Sequence, residues 1–152
     1  MESRFKETGI VTREELEKLG LMPPVERLEK GPVAVIECPE EIPCNICVKA
    51  CPFGAIEKDK IYSIPRFHPD KCIGCGACVP QCPGLAIFVV DLSKPGKALI
   101  TLPYEMLPKP EKNAVVKLLD REGRVVGEGR IVKAWQYDKT WAVTVEVPRE
   151  LW

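Results

Sequence analysis

Hydrophobic and polar positions along the 152 residues fall into three regimes. Over residues 1–32 apolar side chains are sparse among charges. Thr12 followed by Glu15 forms a capping box, so Thr12–Gly20 predicts a two-turn helix with Leu16 and Leu19 on one face, Val11 just ahead of the cap and Gly20 as its stop. Met22-Pro23-Pro24 then breaks the pattern. So short a helix is marginal alone. It is expected to dock on the core or on a partner subunit, with a frayed arm as the other reading.

In the middle regime Val33–Ile36 is continuously apolar and predicts a strand. Ala55-Ile56 and Ile61–Ile64 flank the polar Glu57–Lys60 and predict a hairpin; Leu85–Val90 predicts a strand able to pair with the first. Stretches beginning at Val48 and Val79 read as single helical turns. Lys94-Pro95-Gly96 marks a boundary. Beyond it Ala98–Leu102, Ala114–Leu119, Arg124–Trp135 and Thr140–Val147 read as strands, separated by turns at Asp120–Gly123 and Tyr137–Thr140. In the last strand Trp141, Val143, Val145 and Val147 alternate with Ala142, Thr144 and Glu146, predicting one buried and one outward face. Gly127 and Gly129 suggest a bend or close backbone approach. The expectation is an α+β chain in three parts: an N-terminal arm with a short helix (1–32), a small core domain (33–93) and a small antiparallel β-barrel for docking (94–152).

Charge changes this picture little. Lys and Arg number 22 against 22 Asp and Glu, which gives no argument for nucleic acid or an anionic membrane as partner. By segment the arm carries 6 basic and 7 acidic residues, the core 5 and 7, and the tail 11 and 8. The tail's excess could orient docking but is too thin for a nucleic-acid footprint. Trp135, Trp141 and Trp152 read as core or interface anchors, with Trp152 the first candidate for an interface. No stretch is long and apolar enough for a membrane span, and the polar start MESRFKETGI is unlike a signal peptide, so a cytoplasmic protein is expected. Few Asn and Gln beside fifteen Pro lean toward a thermophile composition.

All eight cysteines lie between Cys38 and Cys82. They form two runs: Cys38, Cys44, Cys47 and Cys51-Pro52, then Cys72, Cys75, Cys78 and Cys82-Pro83. A shift of thirty-one residues lays Cys44, Cys47, Cys51, Pro52, Ala55 and Ile56 on Cys75, Cys78, Cys82, Pro83, Ala86 and Ile87, so the two runs are an internal repeat. The same shift lays Asn45 on Gly76, consistent with a positive φ between ligands. Three thiols within seven residues suit a soft polynuclear metal cluster. A disulfide framework needs separated partners and an oxidising compartment; structural zinc rarely interleaves a third cysteine and a C-x-x-x-C-P exit twice.

The second run matches the bacterial ferredoxin pattern residue for residue, and the whole stretch Cys38–Pro83 resembles the two-cluster bacterial ferredoxin family. That resemblance implies a ferredoxin-like two-cluster core with two [4Fe-4S] clusters, in which the fourth cysteine of each run ligates the other cluster. It assigns Cys38, Cys44, Cys47 and Cys82 to one cluster and Cys72, Cys75, Cys78 and Cys51 to the other. Cys38 stands six positions before Cys44 where the pattern has three, which leaves open a three-iron cluster with Cys38 free. Ile46, Val48, Phe53, Ile56, Val79 and Ile87 are expected to shield the clusters. His68, the one histidine, is expected to hydrogen-bond locally in its loop, and Lys49 to be solvated.

Over its full length, with the Thr12 helix ahead of the core and Leu118–Gly129 behind it, the chain is similar to the small iron–sulfur subunit of multisubunit FAD-dependent dehydrogenases. Those act on amines and imino acids such as proline or sarcosine, or on glycerol 3-phosphate. The similarity implies a non-catalytic subunit that carries electrons from a partner flavoprotein to an acceptor protein. With the cysteines spent on metal, neither a nucleophilic triad nor a nucleotide fingerprint remains. The alternatives are a free diffusing ferredoxin and an iron–sulfur module serving architecture or nucleic-acid binding.

Overall fold

The computed structural model describes residues 4–152. The arm contains three short helices, α1 (Phe5–Thr8), α2 (Arg13–Lys18) and α3 (Val25–Leu28). In α2 the capping box forms: Thr12 accepts from the Glu15 N–H while the Glu15 carboxylate accepts from the Thr12 N–H at 2.7 Å. Of the expected stripe, Val11 and Leu16 are buried but Leu19 is exposed; Leu21, just past the turn, takes its place in the core. The arm docks on the core. Ile36 N–H donates to the Leu21 carbonyl at 3.1 Å and Leu92 N–H to the Leu28 carbonyl at 3.0 Å, while Leu16, Leu21 and Leu28 are fully buried. That burial, about 1.5–3 kcal/mol for each large apolar side chain, supplies what three marginal helices lack.

The core begins with β1 (Val33–Ile36), followed by α4 (Ile46–Ala50), β2 (Ile56–Glu57), β3 (Arg66–Phe67) and β4 (Ile87–Asp91). β1 and β4 pair antiparallel, Val33 opposite Val90 and Ile36 opposite Ile87. The expected hairpin shifts: Ile56 pairs with Phe67 and Glu57 with Arg66, not with Ile61–Ile64. Pro65 has no N–H to give to a ladder, so pairing falls on the residues after it. The turn at Val79 stays below a helix, yet Cys82 N–H donates to the Cys78 carbonyl at 3.2 Å, just as Cys51 N–H donates to the Cys47 carbonyl at 3.2 Å in α4. The sequence repeat therefore extends to this backbone hydrogen bond.

The tail supplies β5 (Lys97–Tyr104), β6 (Val115–Leu119), β7 (Val125–Tyr137) and β8 (Thr140–Pro148), ending in a single 3-10 turn at Arg149–Leu151. The expected small barrel does not close. β5 pairs with β4, Val89 opposite Thr101, so the strand that would seal a tail-only barrel extends the core's sheet instead. The result is one six-stranded antiparallel sheet in the order β1-β4-β5-β8-β7-β6, with β1 and β6 as edges. β8 also departs from the expected alternation. Ala142 and Thr144 are buried along with Val143, Val145 and Val147, on a strand that lies inside the sheet between β5 and β7. On its second face the Thr101 and Thr144 hydroxyls satisfy each other at 2.8 Å.

Among the described residues no helix is long and apolar enough to cross a membrane.

Candidate metal centre

The ribbon β1–β4 fixes the site through its pleat. Ala34 and Ile36 on β1, with Ile87 and Val89 on β4, point to the cysteine side; Val35, Phe88 and Val90 point to the opposite face. On the cysteine side lie two cavities. One is lined by Cys38, Cys44, Cys47 and Cys82, the other by Cys51, Cys72, Cys75 and Cys78. Each thus gathers three cysteines of one run and the last cysteine of the other. The crossing has a local cause: α4 and the matching turn at Val79 each carry the chain one helical turn past a third cysteine. The fourth then leaves in extended backbone ahead of a proline; at Cys51 φ is −83° and ψ 112°.

Electrostatics groups the thiols identically. Burial is the main cause that raises the Cys38 and Cys47 thiols, with Cys82 contributing to both and Cys44 to Cys38. Burial likewise pushes Cys78 up to about 12, and Cys72, Cys75 and Cys51 add to it. Such crowded thiols disfavour one another's charge until a cation set neutralises them; metal binding then releases their protons. All eight are free thiols. Among the described residues no three His, Cys, Asp or Glu side chains are arranged to hold a single metal ion. Four thiols lining one cavity, three of them from a closely spaced run, form a donor set that suits a polynuclear cluster.

Backbone donors face several of these sulfurs. Ala34 and Gly74 N–H groups point at Cys72 Sγ and the Ala55 N–H at Cys51 Sγ, each at 3.4 Å. Gly74 has φ +70°, and a Cβ there would lie 2.4 Å from the Pro32 carbonyl oxygen. Gly76 has φ +76°, and its missing Cβ would lie 2.9 Å from Trp135 Cζ2. Asn45, its counterpart in the repeat, has φ −135°, so the expected positive φ occurs only in the second run. The loop that holds the first run's three extra residues is exposed over Glu40–Pro43, while Cys38 reaches the cavity of Cys44 and Cys47. Of the expected shielding residues, Ile56, Val79 and Ile87 are buried and Val48 half-buried. Ile46 and Phe53 are exposed.

Three cations with no motif to announce them hold the site. Lys58, from the polar turn after β2, donates to the Cys44 carbonyl at 2.5 Å and to the Ile42 and Ile61 carbonyls at 3.4 and 3.3 Å. Its charge is the foremost influence lowering the Cys38 and Cys47 thiols against their burial. Arg27 of α3 donates to the Pro69 and Cys72 carbonyls at 3.2 and 2.7 Å and to those of Gly31 and Pro32. Arg121, in the β6–β7 turn, grips Glu37, the residue before Cys38. Lys49 is exposed as expected. His68 Nε2 lies 3.1 Å from Glu57 Oε2, a local partner outside both cavities. Trp152 packs within the chain: Arg13 stacks 3.8 Å over its ring and donates to its carbonyl at 3.1 Å.

Comparison with known proteins agrees with this chemistry. Residues 42–86 match the 4Fe-4S dicluster domain family. The chain is 46% identical over 48 residues to a ferredoxin of Streptomyces griseus, covering 30% of this chain and 41% of that protein. It is 42% identical over 53 residues to the polyferredoxin-like subunit of an aliphatic sulfonate oxidoreductase of Pyrococcus furiosus, covering 35% and 28%. It is also 35% identical over 60 residues to the beta subunit of a dissimilatory-type sulfite reductase of Archaeoglobus fulgidus, covering 40% and 15%. The chain thus spans less than half the length of these relatives. The matched segment is similar to bacterial ferredoxins, and the chain carries two 4Fe-4S clusters.

Proposed function

We propose that this chain is an electron-transfer subunit. In this reading Cys38, Cys44, Cys47 and Cys82 hold one [4Fe-4S] cluster, and Cys51, Cys72, Cys75 and Cys78 the other. The observation that carries it is the pair of four-thiol cavities, each completed by the last cysteine of the opposite run. A bound cluster takes up and releases one electron at a time. The chain's own groups then set the terms: N–H donors at Cys72 and Cys51 and the Lys58 charge favour added electrons, while Ile56, Val79 and Ile87 exclude water.

The partner in this reading is an FAD-dependent dehydrogenase of the proline, sarcosine or glycerol 3-phosphate type, and an acceptor protein receives the electrons. More than two thirds of the chain lies outside residues 42–86, and that remainder builds an arm and a sheet suited to holding a partner. In this reading the complex works in the cytoplasm, where thiols are kept reduced. Isolating the chain from its native host under anaerobic conditions tests the reading. It predicts co-purification with a flavoprotein whose flavin, once reduced by substrate, reduces the clusters. A lone species near 17 kDa without flavin would instead favour a free ferredoxin.

A further inference from the structure

The two edges of the six-stranded sheet are treated differently. At β1 the outward groups are engaged: Ala34 N–H by Cys72 Sγ and Ile36 N–H by the Leu21 carbonyl. Among the described residues nothing bonds to the outer edge of β6. Bare strand edges are pairing templates. On β6 Val115 and Leu119 are 68% and 60% exposed, and they flank exposed Lys117, which lies across the ladder from Glu128 yet is in no ion pair among the described residues.

This edge borders a large cavity. It has a volume of about 970 Å3 and is floored by Val90, Ile100, Val143 and Val145 from the interior strands. At its mouth Met106 and Val126 are 69% and 43% exposed, and Leu107 beside it is 84% exposed. An open edge beside a cavity whose lining is mainly apolar calls for a polypeptide cover, because a small ligand in the cavity would leave Leu107 and Leu119 in water. A second copy of this chain is a poor cover. Antiparallel pairing of β6 with itself about its centre sets Lys117 against Lys117, a like-charge pair that destabilises a ladder.

We propose that β6 is where the flavoprotein partner adds an extended segment, hydrogen-bonded along Val115–Leu119. That segment sets a carboxylate opposite Lys117 and apolar side chains over the mouth between Met106 and Val126. The inference rests on the functional reading above and names the surface through which the complex forms. The tail's surplus of basic over acidic residues, 11 to 8, matches an acidic partner segment.

The test uses the tagged full-length chain with its clusters, expressed in the native host, and measures flavin recovered per chain after isolation. Lys117→Glu and Leu119→Asp should each lower that recovery at least tenfold with unchanged cluster absorbance. Lys30→Glu, on the exposed turn after α3, should not. Hydrogen exchange on the wild-type complex gives an independent reading, in which the Lys117 and Leu119 amides are protected in the complex and exchange freely in the isolated chain. No flavin with the wild-type chain would sink the functional reading. Equal flavin with wild type and both variants, or no added protection of β6, would sink the docking surface alone. So would a homodimer of the isolated chain that Leu119→Asp disperses, or a lipophilic small molecule extracted in stoichiometric amount from the wild-type chain.

Discussion

Arg121 and Glu37 face each other as a bidentate ion pair across 84 residues of chain, with Arg121 Nη1 2.8 Å from Glu37 Oε2. The pair ties the tip of the β6–β7 turn to the residue preceding Cys38, and the carboxylate raises the Arg121 guanidinium further above its ordinary value. Because Arg121 is about half exposed, Arg121→Ala should cost no more than about 1 kcal/mol of global stability. Its effect should be local. Amide exchange should quicken at residues 119–124 and near Cys38, leaving the second cluster's loops unchanged.

The crossed thiol sets make opposite predictions for two single changes. Cys82→Ala should lose the cluster held by the first run and Cys51→Ala the one held by the second, each variant keeping about half its iron. EPR of the reduced variants distinguishes the surviving centres. Retention of the first-run cluster in Cys82→Ala would overturn the crossing.

Gly74 and Gly76 both have positive φ, but different neighbours oppose a side chain there. Gly74→Ala meets the Pro32 backbone and should cost about 2 kcal/mol or more, with loss of the second cluster. Gly76→Ala meets the edge of the Trp135 ring, so Trp135→Leu should partly restore it. The same second change should do nothing for Gly74→Ala. Thermal melts and visible absorbance of the four variants test this.

Lys58 places a positive charge by the Cys38 and Cys47 thiols. Lys58→Met should lower the potential of the adjacent cluster by an amount on the order of tens of millivolts, with little change at the other. Redox titration followed by EPR reads the two separately. Equal shifts at both would mean a general loosening of the fold.

Glu57 is held below the usual carboxylate value chiefly by its hydrogen bond from His68, then by the His68, Lys71 and Arg66 charges. A depressed carboxylate contributes stability that is present above its unfolded value, about 4.3. It is lost as pH falls through the lower folded value. His68→Gln should move the Glu57 titration upward, followed by the carboxyl 13C shift between about pH 6 and pH 3.

The two cysteine runs are plain in the sequence, and the way their thiols line two cavities follows the grouping that the ferredoxin resemblance implies. The capping box at Thr12, the β1–β4 pair and the four tail strands were equally plain, because each rests on signals within a few residues. What escaped is nonlocal. Arg27, Lys58 and Trp135 meet cluster loops through contacts up to 59 residues apart in sequence, as between Gly76 and Trp135, and nothing beside them marks that role. The barrel failed for a related reason: strand content was evident, but whether β5 turns inward or joins β4 depends on an edge outside the tail. The hairpin of β2 slipped because Pro65 removes a donor that hydrophobic pattern alone does not weigh.

β4 carries hydrogen-bond ladders on both sides, to β1 and to β5. Ending the chain at residue 93 would turn an interior strand into an unguarded margin bearing Val89 and Val90, beside the floor of a cluster pocket. The added strands therefore act as a splice onto the iron-bearing half, and a trimmed version should be sought as an aggregating species before it is sought as a minimal carrier.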